Sequence, residues 1–189
     1  MDNGRVSTEQ GSQPEAAPPA ELPKRRVGLL AVVAVVAFAL DLTTKAIVTS
    51  TLEGHEPVRV LGGLVYLQLV RNPGAAFSMA TGMTWVLALV ATAVVVALIW
   101  FAGRLRSVGW AIGLGLILAG AFGNLMDRFF RAPGVLRGHV VDFISVFSPN
   151  GEAFPVFNVA DSCITCGAIL VVLLSLLGRD YDGTVRRKK

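Results

Sequence analysis

Residues 83–103 read MTWVLALVATAVVVALIWFAG, a run without a charged side chain at any position. A helix crosses about 30 Å of hydrocarbon in roughly 20 residues. A helix of that length on a soluble domain would carry a polar stripe for water, and this one has none. Working outward, Arg104-Leu105-Arg106 separates it from a second uncharged run, SVGWAIGLGLILAGAFGNLM at 107–126, which stops at Asp127. Upstream, Val27 to about Val48 is uncharged for fourteen residues until Asp41 and then Lys45. Downstream, about Val156 to Gly178 carries a single charge, Asp161. The pattern predicts an all-α integral membrane protein. Its four transmembrane helices lie at about 27–48, 83–103, 107–126 and 156–178, inside one domain spanning 24–178.

The bulk numbers agree. Of the 189 residues, 53% are hydrophobic and 16% charged, with a mean hydropathy of +0.62. Soluble domains carry about 25% charged residues, so lipid is the expected solvent. A net charge of +4 and a pI near 9.5 raise nucleic acid as a partner. The basic residues, however, sit in short clusters at the ends of apolar runs, where they act as topology signals, and nucleic acid is not expected. Ten lysines and arginines flank one side: Lys24, Arg25, Arg26, Arg104, Arg106, Arg179, Arg186, Arg187, Lys188 and Lys189. The opposite loops hold five in much longer sequence: Arg59, Arg71, Arg128, Arg131 and Arg137. Both termini are therefore expected in the cytoplasm.

Residues 1–23 are rich in Gly, Ser, Gln, Glu, Pro and Ala without apolar periodicity, and read as a disordered cytoplasmic tail. No A-x-A cleavage pattern follows soon after the first apolar stretch, so a secretory signal peptide is not expected. Residues 179–189 read as a basic cytoplasmic tail. The outer loop at 49–82 has alternating β-branched segments, Pro57-Val-Arg-Val-Leu and Gly63-Leu-Val-Tyr-Leu-Gln-Leu-Val, and predicts a short hairpin on the membrane surface. The loop at 127–155 predicts irregular structure with a short strand or helix. Together these give a small extracytoplasmic β-containing region. Cys163 and Cys166 form a C-x-x-C with no second pair and no nearby histidine, and read as small buried hydrophobes in a helix.

Charged groups inside hydrocarbon cost roughly 2.5–3.5 kcal/mol each, so their placement carries information. At about 1.5 Å rise per residue, Asp41 lies about 21 Å across from the inner side and Asp127 about 30 Å across. Asp161 lies about 8 Å in from the outer side on the same rise. All three fall in the outer third of the bilayer or at its rim, which argues for one polar site. Asp41 and Lys45 are four apart and share a helix face. Gly120, Asn124 and Asp127 form a polar stripe on the third helix, and Asn158 and Asp161 share a face on the fourth. Gly109 with Gly113, and Ala119 with Gly123, are small-residue pairs that let a neighbouring helix approach. Spacing alone leaves Asp127, Asp142 and Asp161 as candidate catalytic carboxylates. Asp142, between Val140-Val141 and Phe143-Ile144, sits on a segment expected to press back against the membrane.

Five blocks in order carry a resemblance to the lipoprotein signal peptidase (signal peptidase II) family over residues 27–178. They are Asp41-Leu-Thr-Thr-Lys45; Arg71-Asn72-Pro-Gly74-Ala75-Ala76-Phe77-Ser78; Gly120-Ala-Phe-Gly123-Asn124-Leu-Met-Asp127-Arg128; Val140-Val141-Asp142-Phe143-Ile144; and Phe157-Asn158-Val-Ala160-Asp161-Ser162. The resemblance implies an aspartic endopeptidase of the bacterial plasma membrane with its active site on the extracytoplasmic side and no cofactor. Such an enzyme cuts diacylglyceryl-modified prolipoproteins on the amino side of the lipidated cysteine. It implies Asp142 and Asp161 as the catalytic dyad. Asn72, Gly74, Asn124, Arg128 and Asn158 would be at the substrate, and Asp41, Lys45 and Asp127 would support the site. It further implies contact with membrane lipids, sensitivity to the cyclic peptide globomycin, and a monomer. The stretch Phe129–His139 is longer than is usual for the family, which bears on the shape of the outer loop.

The chemistry is self-consistent. Two close carboxylates cannot both ionise easily, so one keeps a proton to polarise the scissile carbonyl while the other deprotonates water. Which of the two starts protonated is a property of the coupled pair. His55-Glu56-Pro57 does not continue into a zinc-binding H-E-x-x-H, no metal is expected, and no G-x-S-x-G marks a serine nucleophile. A proton-coupled transporter would place its charges near the midplane, often in repeated halves, and neither feature is present. A non-enzymatic scaffold subunit accounts for the glycine-rich third helix but not for the separate Asn and Asp blocks in the loops.

Overall fold

The computed structural model describes residues 23–74 and 83–186. The tail at 1–22, the motif residues Ala75 to Ser78 and the last three residues lie outside the described residues. Four helices are long and apolar enough to cross a membrane: α1 (Val27–Leu52), α2 (Thr84–Ala102), α3 (Val108–Phe130) and α4 (Val159–Leu176). Large apolar side chains point outward along them, among them Val35, Val36, Leu89, Val96, Trp100 and Leu176. Only a hydrocarbon solvent makes such a surface stable.

α3 is the hub, and its glycines explain why. A Cβ on Gly113 would meet Val171 and the Gly167 carbonyl of α4 at 2.8 and 3.2 Å, and one on Gly115 would meet the Leu30 carbonyl of α1 at 3.0 Å. Close approach of backbones is how helices gain packing energy where no hydrophobic drive separates them from lipid. α1, α2 and α4 each pack on this central helix.

Helix ends depart from the sequence reading where polar groups intervene. α1 continues to Leu52 and α3 to Phe130, so Asp127 and Arg128 belong to the last turns of α3 rather than to the loop after it. α4 begins at Val159 because Asn158 caps it. The Asn158 side chain accepts from the Asp161 amide while the Asp161 carboxylate accepts from the Asn158 amide, a reciprocal capping box. Asp161 is thus in the first turn, shallower than five residues into a helix.

Outside the bundle lies a three-stranded antiparallel sheet in the order β1 (Val58–Val60), β2 (Val65–Asn72), β3 (Val140–Val146). The expected hairpin is β1–β2, turned at Gly62 and Gly63, whose φ values of 68° and 98° favour glycine. The third strand comes from the other outer loop. Its register with β2 runs from Val65↔Val146 to Asn72↔Val140, with an irregularity between Leu67 and Val70. Val141 and Phe143 of β3 pack with Val48 of α1 in a small core beneath the sheet.

At the opposite end, residues 179–186 fold back on the α2–α3 turn. The Tyr181 carbonyl accepts from the Arg106 and Ser107 amides at 2.9 and 3.0 Å, and the Tyr181 ring meets Phe101 edge-on. The Arg26 amide donates to the Leu105 carbonyl at 2.8 Å, which ties the start of α1 to the same turn.

Candidate active site

The three candidate carboxylates separate on the structure. Asp127 is buried and neutralised: its Oδ2 pairs with Lys45 Nζ at 2.9 Å and accepts from the Val141 amide at 3.2 Å, while its Oδ1 pairs with Arg131. It is not among the residues that line the cavity shared by the other two. Asp142 on β3 and Asp161 on α4 both open onto one cavity of about 530 Å³. Asn72, Gly74, Asn124 and Arg128 line the same cavity.

Each position follows from local structure. Asp142 is only 2% exposed, because β3 passes between β2 and the outer ends of the helices. Its Oδ2 accepts from Asn72 Nδ2 at 2.8 Å and its Oδ1 from Asn158 Nδ2 at 2.7 Å. Asp161 Oδ1 accepts from Asn124 Nδ2 at 2.7 Å. The two asparagines also touch, Asn158 Nδ2 donating to Asn124 Oδ1 at 3.1 Å. A continuous row of amides therefore runs from one carboxylate to the other.

Burial pushes the Asp142 carboxyl up to about 7, and the negative charge of Asp161 pushes the same way; the bonds from Asn72 and Asn158 oppose it. A carboxyl that titrates near neutrality beside a second carboxylate is what general acid–base chemistry on water and an amide requires.

Behind this row sits a buried ion cluster. Lys45, 1% exposed, pairs with Asp41 at 2.8 Å as the four-residue spacing predicted, and donates to Asn124 Oδ1 at 3.1 Å. Asp41 Oδ1 in turn accepts from the Ala160 amide at the start of α4 at 2.9 Å. Gly123 is glycine for the same reason: a Cβ there would lie 2.5 Å from Asp41 Oδ2. Arg128 lies among the charges of Asp161, Asp142 and Asp127. Its guanidinium donates to the Gly74 and Asn124 carbonyls at 3.2 Å each, and its Nε has no partner among the described residues.

The far end of the cavity is apolar. Phe154, Pro155, Val156 and Phe157 form one wall, and Ser162, Thr165 and Cys166 continue the Asp161 face down α4. The loop carrying Phe154 is pinned by Gln68, whose Oε1 accepts from the Asn150 amide at 2.9 Å. The sequence reading missed this wall; the helical spacing Asp161, Ser162, Thr165 was the available signal. It also placed both cysteines in the interior. Cys166 is instead exposed and Cys163 half-buried, both as free thiols. α4 packs on α3, most closely at Gly167, and touches α1 at its start, while Ile169, Val172, Leu173 and Leu176 are exposed.

The family model described as signal peptidase (SPase) II matches residues 33–177. A protein of Rhodococcus jostii (strain RHA1) named lipoprotein signal peptidase is 52% identical, covering 97% of this chain and 97% of its own. One of Mycobacterium avium (strain 104) with the same name is 56% identical over 90% and 91%. A solved bacterial membrane enzyme superposes with a TM-score of 0.73 at 28% identity, covering 90% of this chain and all of the other.

Proposed function

The chain belongs to the signal peptidase II family, membrane aspartic endopeptidases that remove signal peptides from prolipoproteins, and we propose that its own cut is made by Asp142 and Asp161. The single observation that carries this assignment is that these two carboxylates, from β3 and α4, share one cavity while Asp127 is consumed by Lys45 and Arg131.

In this reading the pair holds one proton between its two members at neutral pH. The protonated member donates to the scissile carbonyl as a water bridging the pair attacks, and the ionised member takes the proton of that water. The proton is then passed to the leaving amide nitrogen as the tetrahedral intermediate collapses. The bond cut is the one on the amino side of a diacylglyceryl-modified cysteine. Arg128, with the Gly74 carbonyl beside it, receives the substrate backbone next to that cysteine, an arrangement supported by its unpartnered Nε. Asn72 and Asn124 hold the carboxylates in place and meet substrate at the cavity edge, whereas Asn158, expected at the substrate, is fully buried behind the cavity lining and acts on the carboxylates alone. The apolar wall at Phe154 to Phe157 faces acyl chain or signal-peptide side chains, since lipid-facing apolar surface accepts either without a desolvation cost.

The basic residues clustered at the Tyr181 end support a cytoplasmic location for both termini, and the sheet at the other end supports a site on the extracytoplasmic face of a bacterial plasma membrane. The enzyme works as a monomer, takes lipidated substrate sideways from the bilayer, and is inhibited by globomycin. The test is cleavage of a diacylglyceryl-modified prolipoprotein by purified protein. Asp142→Asn and Asp161→Asn are each expected to lower turnover by at least about 10²–10⁴-fold, the worth of a positioned acid or base, with the fold retained. Substantial turnover by either folded variant refutes the assignment.

A further inference from the structure

The Lys45 ammonium has three protons and no acceptor, and all three are placed: on Asp41 Oδ2 at 2.8 Å, on Asp127 Oδ2 at 2.9 Å and on Asn124 Oδ1 at 3.1 Å. The third contact has a consequence. An asparagine amide has an accepting end and a donating end, and its neighbours decide which way round it sits. Asn124 Oδ1 faces two donors, Lys45 Nζ and Asn158 Nδ2, so Nδ2 is the end left for Asp161, at 2.7 Å. Turned over, the amide would set N–H against N–H at Lys45 and at Asn158, and oxygen against the Asp161 carboxylate. Asn158 is locked in the same sense, since its Oδ1 accepts from the Asp161 amide and leaves Nδ2 for Asp142 Oδ1 at 2.7 Å.

We infer that Lys45, which hydrogen-bonds to neither member of the pair, is a positioning residue: it fixes the polarity of the Asn124–Asn158 amide row, so that each carboxylate is met by an N–H. The inference rests on the reading of Asp142 and Asp161 as the working pair. The role is additional to neutralising charge: Asp127 also has Arg131, but Asp41 has Lys45 as its ion-pair partner beside the uncharged Ala160 amide, so removing Asp41 together with Lys45 separates the two roles. An N–H aimed at a carboxylate favours its ionised form, so losing one changes the pH at which the pair holds a single proton. The other charged groups facing the pair are Asp41 with Lys45 on α1, and Asp127 with Arg128 on α3.

The test uses the full chain purified in detergent with a diacylglyceryl-modified prolipoprotein. Two variants are compared with wild type: Lys45→Met, and Lys45→Met with Asp41→Asn, which leaves no unpaired buried carboxylate because Asp127 retains Arg131. For the folded variants kcat is expected to fall by roughly 10- to 100-fold, the range for one charge-assisted hydrogen bond. KM is expected to stay within about twofold, and the acidic limb of the kcat profile to move about one pH unit upward. A lysine that only supports the fold would scale the profile without moving it, and one acting through its charge alone would move it in the single variant but not in the double variant, whose net charge is unchanged; an unmoved limb in the folded double variant therefore overturns the inference. Failure of the double variant to fold overturns it too, since Lys45 would then be holding the fold. Asp142→Asn and Asp161→Asn run alongside: turnover retained there removes the pair itself, whereas turnover lost there with an unmoved limb in the lysine variants removes only the relay.

Discussion

At the scale of single residues, the role proposed for Asp142 ties activity to stability. Its carboxyl, ordinarily near 3.8, is raised to about 7 by burial and by Asp161. Between those two values the folded protein keeps a proton that the unfolded chain releases, so stability declines as pH rises from about 4 to about 7 and levels off above. The full decline is of order 4 kcal/mol at most. Thermal unfolding in detergent is expected to show a midpoint that falls from pH 5 to pH 8 in wild type and falls less in Asp142→Asn; equal slopes would count against it. Residue identity was only partly legible in the sequence. The four-residue spacing of Asp41 and Lys45 led directly to their ion pair. The four-residue spacing of Asp127 and Arg131 was a signal left unread; the second cation on Asp127, Lys45, comes from α1 across space, and no spacing along the chain could have shown it.

Elements were legible where one physical requirement dominated. Crossing hydrocarbon demands a long uncharged helix, and that demand made α2 and α3 readable at a glance. Strand pairing sends no such local signal: β3 meets β2 across some 70 intervening residues, so the β1–β2 hairpin was expected, whereas the second outer loop gave only a short strand or helix with no partner. The beginning of α4 was more readable than it was read, since Asn158 and Asp161 have the spacing of a capping box. Packing of α4 on α3 gives a prediction at this scale. A Cβ on Gly120 would collide with the Ala160 carbonyl, and the Ala160 amide is the group that holds Asp41. Gly120→Ala is therefore expected to cost about 1–3 kcal/mol and to lower kcat by displacing the turn that bears Asp161. Gly103→Ala, where an added methyl meets open space, is the control and should melt with wild type. Matching unfolding temperatures and turnover for the two variants would contradict this account of the crossing.

Over the whole molecule, two ends have different characters. One gathers Lys24, Arg25, Arg26, Arg104 and Arg106 with the Tyr181 turn, tied by backbone bonds between Arg26 and Leu105 and between Ser107 and Tyr181. The other holds the sheet and the acidic cavity. With Cys163 and Cys166 replaced by alanine, a cysteine introduced at the exposed position Arg25 is expected to react with a membrane-impermeant maleimide only in inverted vesicles. One at the exposed position Glu56 should react only in intact cells; the reverse pattern would invert the topology. The sheet has one further consequence. β2 leaves the ribosome early and waits for β3, which follows two membrane crossings later along the chain, and Asp161 comes later still. A nascent chain halted before residue 140 thus carries neither member of the proposed dyad, and on that reading synthesis of the second outer loop and the start of α4 sets the earliest moment at which proteolysis can begin.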